Sequence, residues 1–155
     1  MVRSISMRAL GVDYGRKRIG LALSDASGML ARPWKTLTVS GLDRQVAEVA
    51  REVEALAAQS DGLSVVVIGL PRRLSGEANE QTAAVQRLAA GLGTHTTVPI
   101  VLQDERLSSR EAEDLLSRRE KDWRKRKSQL DAVAAAVILQ DYLDARPRLP
   151  PEPEL

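Results

Sequence analysis

Residues 7–25, MRALGVDYGRKRIGLALSD, decide the fold of this chain. They contain two largely apolar segments, 7–13 and 18–25, separated by a short polar turn that includes Gly15. Two such segments with a short glycine-containing connection are typical of a β-hairpin. The first segment ends at Asp13, so a carboxylate follows directly on a strand that we expect to be buried.

Outward from this hairpin, the pattern predicts one more strand and then alternating helices and strands. A strand over 29–39 contains Pro33, which favours an edge or bulged position. Helical periodicity and β-branched runs predict helices over 42–59, 78–92, 108–117 and 128–145, and strands over 64–68 and 98–102. Right-handed crossovers would place the fourth strand parallel to the first. We therefore predict an α/β fold with a five-stranded mixed sheet in the order 3-2-1-4-5 and helices on both faces.

The composition indicates a single globular domain. The chain has 155 residues, 43% of them hydrophobic, which suffices for a substantial core. We predict a flexible extension over 1–6, one domain over 7–145 and a disordered proline-rich tail over 146–155. The absence of cysteine excludes disulfides, thiolate zinc sites and a cysteine nucleophile. Without a signal-like or membrane-spanning segment, we expect a cytoplasmic protein with no membrane partner.

The positive charge of the chain is concentrated in residues 118–127. This segment holds seven of the 23 basic residues and two of the 21 acidic ones, so the remainder carries a net charge of −3. A local basic segment beside acidic site candidates indicates a polyanionic partner such as a nucleic acid. The alternative is a solvated loop that only maintains solubility.

Three acidic residues from distant parts of the chain are the candidate site. Asp13 and Glu105 follow predicted strands, and Asp131 opens the alanine-rich last helix. In open α/β sheets, the carboxyl ends of parallel strands meet at one edge, where ligands bind. Carboxylates gathered there could hold Mg²⁺, which activates water against phosphate esters. The sequence thus favours a metal-dependent phosphodiesterase.

Each acid also has a simpler interpretation. Asp13 could form an ordinary Asp-x-Gly turn, and Glu105 could pair with Arg106 or Arg110. Asp131 could complete a capping box that begins at Ser128, with Asp in place of Glu, and an acid in the first turn of a helix is favoured by the helix dipole.

Four motifs in order resemble the YqgF family. They are GVDYGRKRIGLALSD (11–25), VVIGLP (66–71), DERLSSREA (104–112) and DAVAAAVILQDYL (131–143). Members of that family are similar to bacterial Holliday junction resolvases and are described as nucleases for the 5′ end of pre-16S ribosomal RNA. The resemblance covers residues 7–143.

The resemblance implies a ribonuclease H-like fold, cytoplasmic ribosome biogenesis and a metal site formed by Asp13, Glu105 and Asp131. In the mechanism that we expect, these acids hold two Mg²⁺ or Mn²⁺ ions, and Asp13 bridges them. We predict contacts with an rRNA precursor, structured or single-stranded, at the turn after the first strand, the fourth strand end and the basic segment: Tyr14, Gly15, Lys17, Arg18, Gly69, Leu70, Pro71, Arg72, Arg106, Arg124, Lys125, Arg126 and Lys127.

Two other functions stay open at this point. A Holliday junction resolvase would cut branched DNA with the same acids, and a ribosome-assembly factor could bind RNA without cutting it. An actin-like ATPase or sugar kinase also has Asp-x-Gly after a first strand, but such proteins need two domains around a nucleotide cleft.

Overall fold

The computed structural model describes residues 6–71, 80–105 and 123–146. The strands in these ranges are β1 (Ala9–Asp13), β2 (Arg18–Ser24), β3 (Ala31–Thr38), β4 (Val65–Pro71) and β5 (Ile100–Glu105). The helices are α1 (Leu42–Ala58), α2 (Glu80–Gly93) and α3 (Trp123–Ala145). Every helix in the described ranges is too short or too polar to cross a lipid bilayer.

The five strands form one mixed sheet in the order β3-β2-β1-β4-β5, which confirms the predicted topology. Strand β1 is central, antiparallel to β2 and parallel to β4. Strands β4 and β5 are also parallel, so β1, β4 and β5 all end at the same edge of the sheet. This edge is where the predicted acids Asp13 and Glu105 lie.

Strand β3 lies at one end of the sheet and is irregular at its proline, as predicted. Ala22 pairs with Pro33, whereas the neighbouring Leu21 pairs with Lys35, so one extra residue interrupts the ladder. Proline lacks a backbone N–H and is tolerated at such an edge position.

Helices cover both faces of the sheet, and side chains alternate between two cores. Leu10 and Val12 of β1 join the core formed with α1 and α2. Ala9, on the other face, joins a second core with α3. The residues of α3 in that core include Ala135 and Ala136, and such small side chains allow the helix backbone to lie very close to the sheet.

Several element boundaries differ from the prediction. Strands β4 and β5 each extend three residues beyond their predicted ends, because their parallel ladder continues through the pair Pro71–Glu105. Helix α3 begins at Trp123, five residues earlier than predicted, and so includes part of the basic segment. The predicted helix over 108–117, residues 72–79, and most of the predicted extension and tail (1–5 and 147–155) lie outside the described residues.

Candidate active site

Asp13 is the last residue of β1 and lies on the face of the sheet that α3 covers. Its Cα partner on β2 is Gly20. Side chains alternate along a strand, so Asp13 shares its face with Ala9, which is fully buried in the core formed with α3. Asp13 itself is partly buried. The central strand thus presents this carboxylate at the sheet edge beneath α3.

Asp131 on α3 lies directly over the strand position opposite Asp13. A Cβ atom built on Gly20 would be only 1.9 Å from the backbone oxygen of Asp131, so only glycine permits this approach. A glycine inside a strand often marks such a close backbone contact. The structure therefore brings Asp13 and Asp131, 118 positions apart in the sequence, to the same face and the same end of the sheet.

The Asp131 carboxylate is incompletely satisfied by the protein. Its Oδ2 atom is shielded from solvent and accepts no hydrogen bond from the residues that the structure describes. The Nε atom of Arg18 is 3.2 Å away, which makes an ion pair without the geometry of a hydrogen bond. Burial raises the pKa of Asp131, and the nearby Arg18 charge offsets only part of this effect. A buried carboxylate oxygen in this condition is suited to accept a cation.

Gln45 of α1 holds the turn between β1 and β2, and the sequence analysis did not identify it. Its amide nitrogen donates to the backbone oxygens of Gly15, Arg16 and Val39 at 2.8–3.1 Å. The side chain is 1% exposed, although it is polar. The available signal was its position, adjacent to Val46 on the apolar face of the helix.

The turn itself requires glycine at position 15. A Cβ atom there would be 2.4 Å from the backbone oxygen of Arg18. Tyr14 packs against the core formed with α1 and α2, and Lys17 is exposed. The turn therefore brings the backbone of 15–17 and the side chains of Lys17 and Arg18 to the edge that carries Asp13.

Glu105 ends β5 at the same edge of the sheet, two strands away from Asp13, but its side chain lies outside what the structure describes. Only two of the three predicted acids can thus be compared, and the described side chains contain no metal-binding group of three acids, histidines or cysteines.

The remaining predicted contacts fall into two groups. Gly69, Leu70 and Pro71 end β4, and the side chain of Leu70 is buried in the core formed with α1 and α2. The four basic residues 124–127 belong to the first turns of α3, but their side chains are not described. Arg72 and Arg106 lie outside the described residues.

The sheet order and the acid pair define a ribonuclease H-like fold. T. thermophilus RuvC in complex with Holliday junction substrate has a similar structure, with a TM-score of 0.55 and 16% sequence identity. The match covers 90% of this chain and 95% of that one. At this identity, the likeness establishes the fold alone.

The sequence profile of the RuvX family, described as Holliday junction resolvase, matches residues 7–145, and this chain belongs to that family. A protein of Chloroflexus aurantiacus (strain J-10-fl) named "Putative pre-16S rRNA nuclease" is 42% identical over 137 residues, which are 88% of this chain and 86% of that one. A protein of the same name from Synechocystis is 37% identical over 92% of this chain and 91% of its own length. These matches confirm the resemblance noted in the sequence.

Family and fold together identify an enzyme that hydrolyses phosphodiester bonds, a nuclease. The nuclease identity agrees with the prediction made from three acids at strand and helix ends.

Proposed function

We propose that this nuclease processes the 5′ end of pre-16S rRNA in the cytoplasm, with Asp13, Glu105 and Asp131 as its catalytic acids. The relatives named for pre-16S rRNA support the substrate, since they match this chain over most of both lengths. The observation that carries the site is the convergence of Asp13 and Asp131 across Gly20. A pre-ribosomal particle is the setting in which such a substrate occurs.

The described acids suit a divalent cation. Asp131 Oδ2 is buried with no hydrogen-bond donor, and the hard carboxylate oxygens of Asp13 and Asp131 are ligands that Mg²⁺ and Mn²⁺ favour. Glu105 would supply the third carboxylate from the end of β5, two strands away from β1 at the same edge of the sheet. Bound there, one or two such ions lower the pKa of the attacking water and stabilise the leaving oxygen.

The other residues at this edge have the chemistry to hold the RNA backbone. Lys17 and Arg18 follow the turn after Asp13 and provide cations for phosphates. The end of β4, with Gly69, allows close approach of a backbone because glycine has no side chain. Four basic residues, 124–127, precede Asp131 on α3 and have the charge to attract a polyanion.

The substitution with the largest expected effect on the cleavage rate is Asp13→Asn. We expect cleavage of a pre-16S 5′ fragment to fall by at least about a hundredfold, because about 2.7 kcal/mol of transition-state stabilisation corresponds to that factor. The wild-type rate should also disappear on chelation and return with Mg²⁺ or Mn²⁺. Circular dichroism serves as the folding control, and a folded Asp13→Asn protein that cleaves at the wild-type rate would disprove the assignment.

One observation favours a second substrate: the family description names Holliday junction resolvase. The same assay should therefore compare the RNA fragment with a four-way DNA junction of equal concentration. Faster cleavage of RNA supports the proposal, whereas faster cleavage of the junction identifies a resolvase. Tight RNA binding without divalent-dependent turnover of either substrate would instead identify a non-catalytic assembly factor.

A further inference from the structure

Arg18 is placed to act on the acid pair as well as on substrate. It is the first residue of β2, two positions before Gly20, and therefore lies on the α3 face together with Asp13. Its side chain is 43% exposed, and its Nε atom is 3.2 Å from Asp131 Oδ2. The Arg18 side chain is thus partly exposed to solvent and lies beside the candidate ion site.

The contact between Arg18 and Asp131 is of a kind that can be exchanged. It lacks hydrogen-bond geometry, and a partly exposed ion pair of this type contributes little to stability. Arginine cannot lose its proton at any relevant pH, so the only way to remove its charge from Asp131 is to move the side chain. A long, half-exposed side chain at a strand end has the freedom to do so.

A divalent cation and the guanidinium compete for the same oxygen. Asp131 Oδ2 is shielded from solvent and lies 3.2 Å from Arg18 Nε, so we expect an ion that ligates this oxygen to displace the guanidinium. When the guanidinium leaves Asp131, a substrate phosphate can become its new partner, because each bound nucleotide carries a phosphate group.

We propose that Arg18 is an exchangeable counter-ion: it neutralises Asp131 in the metal-free protein, yields the carboxylate to a divalent cation and then binds a substrate phosphate. This inference rests on the proposed function, because it requires a divalent cation at Asp13 and Asp131. It assigns Arg18 a positioning role that couples metal loading to substrate binding, with no part in the chemical step.

The test measures Mn²⁺ binding by isothermal titration calorimetry at pH 8.5, far above the ordinary pKa of a carboxylic acid. We expect Arg18→Met to bind Mn²⁺ about three- to fivefold more tightly than wild type, which is the upper part of the range for removing one competing, partly exposed ion pair. Arg18→Lys should stay within about twofold of wild type, because it restores the positive charge.

Two controls separate local competition from overall charge. Arg51→Met removes the same charge from α1, on the opposite face of the sheet, where Arg51 pairs with Glu48 and is 75% exposed. It should leave Mn²⁺ affinity unchanged. Arg18→Lys is the second control, because it keeps both the overall charge of the protein and a cation beside Asp131.

The substrate half of the proposal is tested at saturating Mn²⁺ with a short RNA. Arg18→Met should raise KM by about threefold or more and leave kcat within about twofold, because it removes a phosphate contact that is common to ground and transition states. An equal effect of Arg51→Met, or an unchanged KM in Arg18→Met, would overturn this half.

The outcomes distinguish the inference from the function on which it depends. If wild type binds Mn²⁺, Asp13→Asn abolishes this binding and Arg18→Met binds no more tightly than wild type, the exchange is wrong and the metal site stands. If wild type binds no Mn²⁺, both proposals fail together.

Discussion

Asp25 and Asp131 lie near opposite ends of strand β2, the first in the turn after the strand and the second on α3, and their carboxylates have different surroundings. Asp25 follows the strand at one end, where its carboxylate accepts the Ser27 hydroxyl and the backbone N–H groups of Met29 and Leu30. These hydrogen bonds lower the pKa of Asp25 to about 2. At the other end, Asp131 has an oxygen without a hydrogen bond, and burial raises its pKa.

The difference teaches which acid is available for a ligand. Asp25 has all the donors it needs from its own turn, so the protein stabilises its charge completely and nothing else is required. The charge on Asp131 is stabilised incompletely, because folding removes water from it and, among the described side chains, supplies Arg18 alone as an ion-pair partner. A buried carboxylate that lacks hydrogen-bond donors is the one that a cation can stabilise.

The sharpest way to break this comparison is to remove each carboxylate and measure cleavage. Asp131→Asn should reduce the divalent-dependent rate by about a hundredfold or more, because a ligand for the ion is lost. Asp25→Asn should retain activity within about threefold, since that carboxylate stabilises a distant turn. Comparable losses in both variants would mean that Asp131 acts through stability instead of through the site.

A second prediction concerns the glycine beneath Asp131. Gly20→Ala should destabilise the protein by about 2 kcal/mol and slow cleavage by about tenfold or more, because the helix backbone must move away from the sheet and carry Asp131 with it. Chemical denaturation and the cleavage assay measure the two effects. Gly93→Ala is the matched control, since its new Cβ would meet nothing within 4 Å. A Gly20→Ala protein with wild-type stability would contradict the close packing.

The smallest effects concern stability without metal. At pH 7, Asp25→Asn should have a free energy of unfolding about 1 kcal/mol lower than that of wild type, after allowance for solvent screening. Asp131→Asn should have a higher free energy of unfolding than wild type. Because the pKa of Asp25 is lowered, its charge stabilises the protein at pH values above its ordinary pKa of 3.8, and this stabilisation disappears as the pH falls towards about 2.

Urea denaturation between pH 7 and pH 3 checks both signs. The deficit of Asp25→Asn should shrink as the solution becomes more acidic. The advantage of Asp131→Asn should also shrink, because a raised pKa means that protonation relieves the wild-type penalty. If both variants were destabilised equally at pH 7, the contrast between the two carboxylates would not exist.

Sequence patterns predicted the strand order and the convergence of Asp13 with Asp131, because periodicity and crossover rules act locally and leave few topologies. They placed the ends of β4 and β5 too early, since the length of a parallel ladder depends on its partner and not on either segment alone. Helix α3 likewise begins earlier than its apolar stretch, which starts near Asp131.

The support of the site was less accessible from sequence. Gln45 was hidden within an otherwise apolar helix face, and its role appears only when its amide is seen to donate to two backbone oxygens of the turn and to that of Val39. Gly20 looked like any glycine in a strand until α3 was placed over it. The pairing of Arg18 with Asp131 joins residues that no local pattern connects.

The sequence by itself determined the architecture and the chemical nature of the acids, because alternating and helical periodicities specify which faces are buried and carboxylates bring their own affinity for hard cations. Only the tertiary structure decided which acid is left short of partners. That property depends on how closely α3 approaches β2 at Gly20 and on what lies within reach of one oxygen, and such distances arise from packing between segments that are far apart in the chain.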